Sequence, residues 1–157
     1  MAESPTAATD ELARIDLLRF PVQIRGRAQQ NHEGLMREFA LIANPHPASE
    51  HDIPVRLLRI VVDLRDRYGG FTNESSAELD AAAERGDEEM DLTLLVPAAA
   101  RGAAVELTGL LEEADDYCRR GELLTLATPP ELVAFRNWYL GQVVEQIDGR
   151  PPTPWAA

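Results

Sequence analysis

Met90 to Pro97, MDLTLLVP, is short, apolar and closed by a proline, and it repeats in kind what Arg14 to Val22, RIDLLRFPV, does near the start of the chain. Both runs are of strand rather than helix length, and the proline hands over to the next element instead of extending the strand. Two such runs in an otherwise helix-patterned chain predict an α+β fold, mostly helical, with a small sheet.

Outward from these strands the spacing is helical. Between Ile24 and Ala43, the residues Ala28, His32, Leu35, Phe39 and Ile42 follow one another at steps of four, three, four and three, one face of a helix. Gly26 and Gly34 weaken that helix by about 1 kcal/mol each relative to alanine, so packing must hold it. Asn44 to Ile53, NPHPASEHDI, reads as a loop, and Pro54 suits the first turn of a second helix running to Tyr68 with Leu57, Val61, Leu64 and Tyr68 as its stripe. Gly69-Gly70 is expected to stop it, and a third, acidic, alanine-rich helix is expected from Ser75 to Arg85. After the second strand a helix from Ala99 to Arg120 carries Leu107, Leu110, Leu111, Ala114, Tyr117 and Cys118. Leu123 to Ala127 suggests a short strand, Thr128-Pro129-Pro130 opens a last helix to Ile147, and GRPPTPW is extended.

A displacement of 76 residues places Pro21 on Pro97, Leu18 on Leu94, Leu35 on Leu111 and Pro54 on Pro130. The expected architecture is two strand-helix-helix halves forming one domain: a disordered lead-in over 1–13, a single α+β domain over 14–149 with a pseudo-repeat of 14–70 and 90–149, and an extended tail over 150–157. Chance similarity of two amphipathic units is the alternative reading of that displacement.

Composition narrows the chemistry. The 157 residues are 45% apolar and 27% charged, a globular balance, and all fifteen basic residues are arginine. Without lysine there is no Schiff-base amine and no phosphate-loop lysine, and arginine stays protonated and replaces neither. The formal charge of −12 opposes binding to phosphate backbones. Residues 79–157 hold six arginines against fifteen acids, a net −9, so a basic partner surface would be drawn to that half. A lone Cys118 makes no internal disulfide, no apolar run reaches the roughly 18 residues of a membrane helix, and Met1–Asp10 has no signal-peptide pattern. The expectation is a cytoplasmic protein with neither nucleic-acid nor membrane partners.

No catalytic, cofactor-binding or metal-ligating residue is assigned, and no cofactor is expected. Glu112, Glu113, Asp115 and Asp116 lie off the Leu107–Leu111–Ala114–Cys118 stripe and read as a solvated helix face, with Cys118 a small buried hydrophobe. The seven acids between Glu78 and Asp91 read as a charged linker, with a docking surface as the alternative. His46 and His51 share a loop and lack a third ligand nearby, and His32 sits on an apolar stripe as a core histidine would. G-x-S-x-G, H-E-x-x-H and a Cys–His pair of usable spacing are all missing from the sequence.

The last helix is different in kind. Leu132, Val133, Phe135, Trp138, Tyr139, Leu140, Val143, Val144 and Ile147 go most of the way round it, which demands burial on more than one side. Either the PPTPW tail folds back, anchored by Trp155, or a partner covers the face, and the tail is the favoured cover. Phe135, Trp138, Tyr139 and Trp155 are the candidate partner-binding residues, because buried aromatics dominate hot spots while charged rims set approach.

Three strings, Leu17–Ile42 (LLRFPVQIRGRAQQNHEGLMREFALI), Glu89–Pro97 (EMDLTLLVP) and Leu110–Trp155 (LLEEADDYCRRGELLTLATPPELVAFRNWYLGQVVEQIDGRPPTPW), resemble small actinobacterial proteins associated with gene clusters of anti-sigma-factor kinases, their antagonists and phosphatases. The resemblance implies a role in a partner-switching circuit, with an anti-sigma-type regulator as the protein partner. It does not extend to the kinase's own ATP site, because Ile42 stands four residues after Glu38 where that box has asparagine, Asn44 comes six after it, and D-x-G-x-G does not occur. The leading expectation is a non-enzymatic protein-binding regulatory protein. The alternative is a small-ligand-binding protein or enzyme with a pocket between the halves, lined by His32, Tyr68, Tyr117 and arginines such as Arg37. A homo-oligomer pairing through the last helix is a third expectation.

Overall fold

In the computed structural model, residues 12–43, 53–121 and 127–156 are described. The order is β1 (Leu12–Pro21), α1 (Val22–Ala43), α2 (Ile53–Arg85), β2 (Glu89–Pro97), α3 (Ala100–Arg120) and α4 (Pro130–Ile147), so strand-helix-helix occurs twice in a mostly helical α+β fold. The strands pair antiparallel as one two-stranded sheet, with Asp16 opposite Thr93 and Leu17 opposite Leu92. Ile15, Leu17, Leu92, Leu94 and Val96 point inward at the period of two that strands impose.

That alternation would carry Arg19 into the core. A bulge prevents it: the register slips between Leu17 and Phe20, so that Phe20 faces Met90 and returns to the buried side. Arg19 takes a left-handed φ of 55°, and its backbone N–H donates to Asp91 Oδ1 at 2.9 Å. The bulge also leaves the Leu18 carbonyl free to accept the Trp155 N–H at 3.0 Å. Beside it the Gln146 amide acts as one residue of an added strand, accepting from the Asp16 N–H at 2.8 Å and donating to the Asp16 carbonyl at 2.9 Å.

The structure departs from the expected boundaries at several places, among them Val22, which opens α1 instead of ending the strand, and Ile53, which opens α2 instead of closing the loop. Leu12 and Ala13 belong to β1 and not to the lead-in. Gly69-Gly70 does not stop a helix, and the separate helix expected from Ser75 is the second half of a continuous 33-residue α2. Neither glycine takes a positive φ, and Thr72 Oγ1 donates to the Gly69 carbonyl at 3.2 Å. Packing at both ends, through Leu57 and Ile60 and through Leu79 and Ala82, outweighs the roughly 1 kcal/mol that each mid-helix glycine costs. The true stop is Gly86, at φ 79°, where Gly86 N–H donates to the Ala83 carbonyl and Asp87 N–H to the Ala82 carbonyl, the paired bonds of a Schellman cap. Gly149 ends α4 in the same way, with its N–H on the Gln146 carbonyl and the Arg150 N–H on the Glu145 carbonyl. One side-chain expectation is corrected as well: Asp115 is buried at 2% exposure, whereas Glu112, Glu113 and Asp116 are solvated as expected.

Two packing clusters result. One joins the inner sheet face to the C-terminal part of α2, the start of α3, α4 and Trp155. The other joins Leu35 and Phe39 of α1, Leu57 and Ile60 of α2, and Leu110, Leu111, Ala114 and Cys118 of α3. Leu140 packs against both. The loop carrying His46 and His51 lies outside the described residues, as does the short strand expected over Leu123–Ala127 apart from Ala127 itself. No helix among the described residues is long and apolar enough to cross a membrane.

Candidate functional site

The aromatic residues of α4 and the tail are built into the fold. Phe20 meets Phe135 edge-on with ring centroids 5.5 Å apart, and Trp155 meets Trp138 edge-on at 5.7 Å. Phe135 is 7% and Trp155 9% exposed, while Trp138 and Tyr139 are half-buried against the same cluster. Polar contacts fix the tail across them: Trp138 Nε1 donates to the Thr153 carbonyl at 2.8 Å, and the Thr153 N–H donates to Gln142 Oε1 at 2.9 Å. Gln142, only 4% exposed, has its oxygen shared with Gln146 Nε2 at 2.9 Å, so the buried amide is satisfied. Of the two covers open to α4, the tail is the one present. Phe135 and Trp155 are consequently inside the molecule, and the four candidate partner-binding residues are brought together as a core cluster.

Between the two packing clusters lies a cavity of about 530 Å³. Its apolar walls come from both, with Phe20, Leu92 and Leu94 on one side and Leu35 and Leu111 on the other. One side of the cavity opens to solvent, so it is filled by water unless a ligand occupies it. Its polar lining supplies partners for either: Gln29, Asn31 and His32 from α1, Thr72, Ser75 and Ser76 from α2, and Thr128 ahead of α4. Gln29 is exposed and His32, Thr72, Ser75 and Ser76 are half-buried, so this hydroxyl-rich side is where the cavity meets solvent.

Two arginines complete the lining. Arg136 of α4 is 13% exposed and its Nη1 lies 2.8 Å from Asp115 Oδ2. Asp115 Oδ1 accepts from both the Thr128 N–H at 3.1 Å and Thr128 Oγ1 at 2.8 Å, so the carboxylate ties α3 to the entry of α4. Arg136 Nε is buried with no hydrogen-bond partner among the described residues, the kind of orphan donor that costs about 1–3 kcal/mol. On the other side Arg25 of α1 pairs with Asp80 of α2 at 2.8 Å. Tyr139 lies near it: burial pushes the phenol above its ordinary range and the Arg25 charge opposes that. Burial lowers the His32 imidazole below its ordinary value, with Glu33 opposing and Arg65 assisting, so the ring is held neutral. Burial likewise pushes the Cys118 thiol up, in keeping with a packed hydrophobe.

Of the residues expected to line a pocket between the halves, His32 does so. Tyr68, Tyr117 and Arg37 do not: Tyr68 takes a hydrogen bond from Arg67 at 3.2 Å, Tyr117 stands edge-on to Phe39 at 5.7 Å, and Arg37 is exposed. Arg25, Tyr139 and Arg136 take their place. The acids of Glu78–Asp91 are partly consumed by arginines within the fold, Asp80 by Arg25, Asp87 by Arg85 and Glu89 by Arg19. No group of three or more histidine, cysteine or acidic residues among the described residues could hold a metal ion. Searches against family models, curated proteins and solved structures return no match to this chain.

Proposed function

We propose that this chain is a non-enzymatic regulatory protein that binds a small molecule in the cavity between its two packing clusters. The observation that carries this reading is the cavity itself: about 530 Å³, within the usual range for ligand sites, mostly apolar, with a few polar groups drawn from α1, α2 and α4. Helix α2, which contributes Thr72, Ser75 and Ser76, also spans both clusters, so an occupant would touch the element that links them. The test is titration with the uncharged fluorophore N-phenyl-1-naphthylamine. One saturable site is expected, weakened in a Leu107→Trp variant that fills the cavity, and unsaturable or unchanged binding would refute the reading.

A second reading, that the protein acts on an anti-sigma-type regulator, is favoured by the resemblance in sequence and by the outer face of the sheet. Leu12 and Leu95 are exposed there, and Leu12 opposite Pro97 and Arg14 opposite Leu95 put them diagonally adjacent on one face. With Phe135 and Trp155 internal, this patch is the better candidate for contact. Capture of a purified anti-sigma-type kinase that is lost in Leu95→Glu would support it, and undiminished capture by that variant would remove the patch from consideration.

A further inference from the structure

We propose that the cavity is selective for a monocarboxylate with an apolar body, its carboxylate directed to the side lined by Arg25 and Arg136 and its hydrocarbon to the leucine walls. This rests on the small-ligand reading above and specifies its ligand class. The chain holds 27 acidic residues against fifteen arginines, yet the cavity lining contains two arginines and no aspartate or glutamate. The carboxylates that balance those arginines, Asp80 and Asp115, lie outside the lining. A cation placed in the cavity would therefore meet no full negative charge, whereas an anion would meet guanidinium groups already fixed by their ion pairs.

Two further observations limit the charge and place it. Arg136 commits Nη1 to Asp115 and Thr128 while its buried Nε–H has no partner among the described residues, so the guanidinium is short of one acceptor. The two arginines, each already sharing an acid, are the guanidinium groups of the lining and suit a single negative charge better than two. The leucine walls, Leu35, Leu94, Leu111 and Leu140 among them, are apolar, and the hydroxyl and amide groups of the lining, Gln29, Asn31, Thr72, Ser75, Ser76 and Thr128, carry no charge. A volume of about 530 Å³ lies within the range of small-ligand sites, enough for a medium-chain or monoaromatic acid.

The experiment is displacement of N-phenyl-1-naphthylamine from the wild-type protein at neutral pH by octanoate, octanol and octylamine, which share one chain length and differ in head group. Octanoate is expected to displace at concentrations about tenfold or more below the other two. Equal potency, or a preference for octanol or octylamine, would overturn the inference while leaving the small-ligand reading intact, whereas failure of the fluorophore to bind at all would sink both. In Arg25→Gln the octanoate preference is expected to fall several-fold with octanol unchanged, and an unaltered preference would count against the assignment. By ¹⁵N NMR, octanoate but not octanol is expected to shift the Arg136 Nε–H resonance. A shift with neither would remove Arg136 from the head-group site.

Discussion

Replacing Asp115 by asparagine removes one charge from a pair whose side chains are 3% and 13% exposed, and leaves the Arg136 guanidinium buried without its counterion. Breaking a buried ion pair from one side costs about 3–5 kcal/mol, mostly the penalty for the orphaned charge. For a chain of this length each kcal/mol lowers the melting temperature by roughly 3–4 °C, so a drop of roughly 9–20 °C is expected. Arg136→Gln should cost a similar amount by stranding Asp115, which would keep only its two bonds from Thr128. The double variant Asp115→Asn/Arg136→Gln restores an uncharged hydrogen-bonding pair. It should be less destabilised than the sum of the singles by at least about 2 kcal/mol, the coupling expected of contacting residues in one network. Urea unfolding followed by circular dichroism measures all three. If the single substitutions cost under about 1 kcal/mol, or if the double variant equals their sum, Asp115 and Arg136 do not form the pair described.

Trp155→Ala should cost about 3–5 kcal/mol, because it empties a site against Phe135 and Trp138, and a melting curve matching wild type would show that the tail is not docked. The His32 imidazole is held below its ordinary value of 6.5, so protonation favours the unfolded chain: stability should rise with pH up to about 6.5 and then level off, and His32→Gln should flatten that rise in pH-dependent urea melts. Cys118 should react with a thiol reagent only in denaturant, and rapid labelling of the native protein would contradict its burial. Arg19→Gly should leave stability within about 1 kcal/mol of wild type, while Arg19→Val, a β-branched residue at φ 55°, should lower it by more than that.

The features legible in the sequence were those written in local periodicity. Proline-ended apolar runs gave β1 and β2, helical spacing gave α1 and α3, and Thr128-Pro129-Pro130 ahead of a broadly apolar run gave α4, because neighbouring residues suffice to define a strand or a helix. The end of α2 was misread because two glycines in a row resemble a stop, whereas what ends a helix is one glycine at positive φ with its two capping bonds. Gly86 supplies that, and Gly69-Gly70 does not. Asp115 was read as solvated because it lies off the Leu107–Leu111–Ala114–Cys118 stripe, although it stands four residues after Leu111 and three before Cys118, on the edge of the buried face. Its partner Arg136 comes from the next helix, and no periodicity within α3 could announce it. His32 was visible as a polar residue on an apolar stripe. Arg25 and Tyr139 line the same cavity only because α1 and α4 pack together, a long-range event. The bulge at Arg19 and the Gln146 clamp on Asp16 are likewise products of pairing between distant segments.

The central claim is that the space between the two clusters is a binding site, and the most direct test is an isotope-filtered NOE experiment on the methyl-labelled protein saturated with N-phenyl-1-naphthylamine. Contacts are expected from the probe to methyl groups on both sides of the cavity, Leu94 of β2 together with Leu35 of α1 and Leu111 of α3. Contacts confined to exposed methyls such as those of Leu95 and Val105, or none at saturation, would contradict the account.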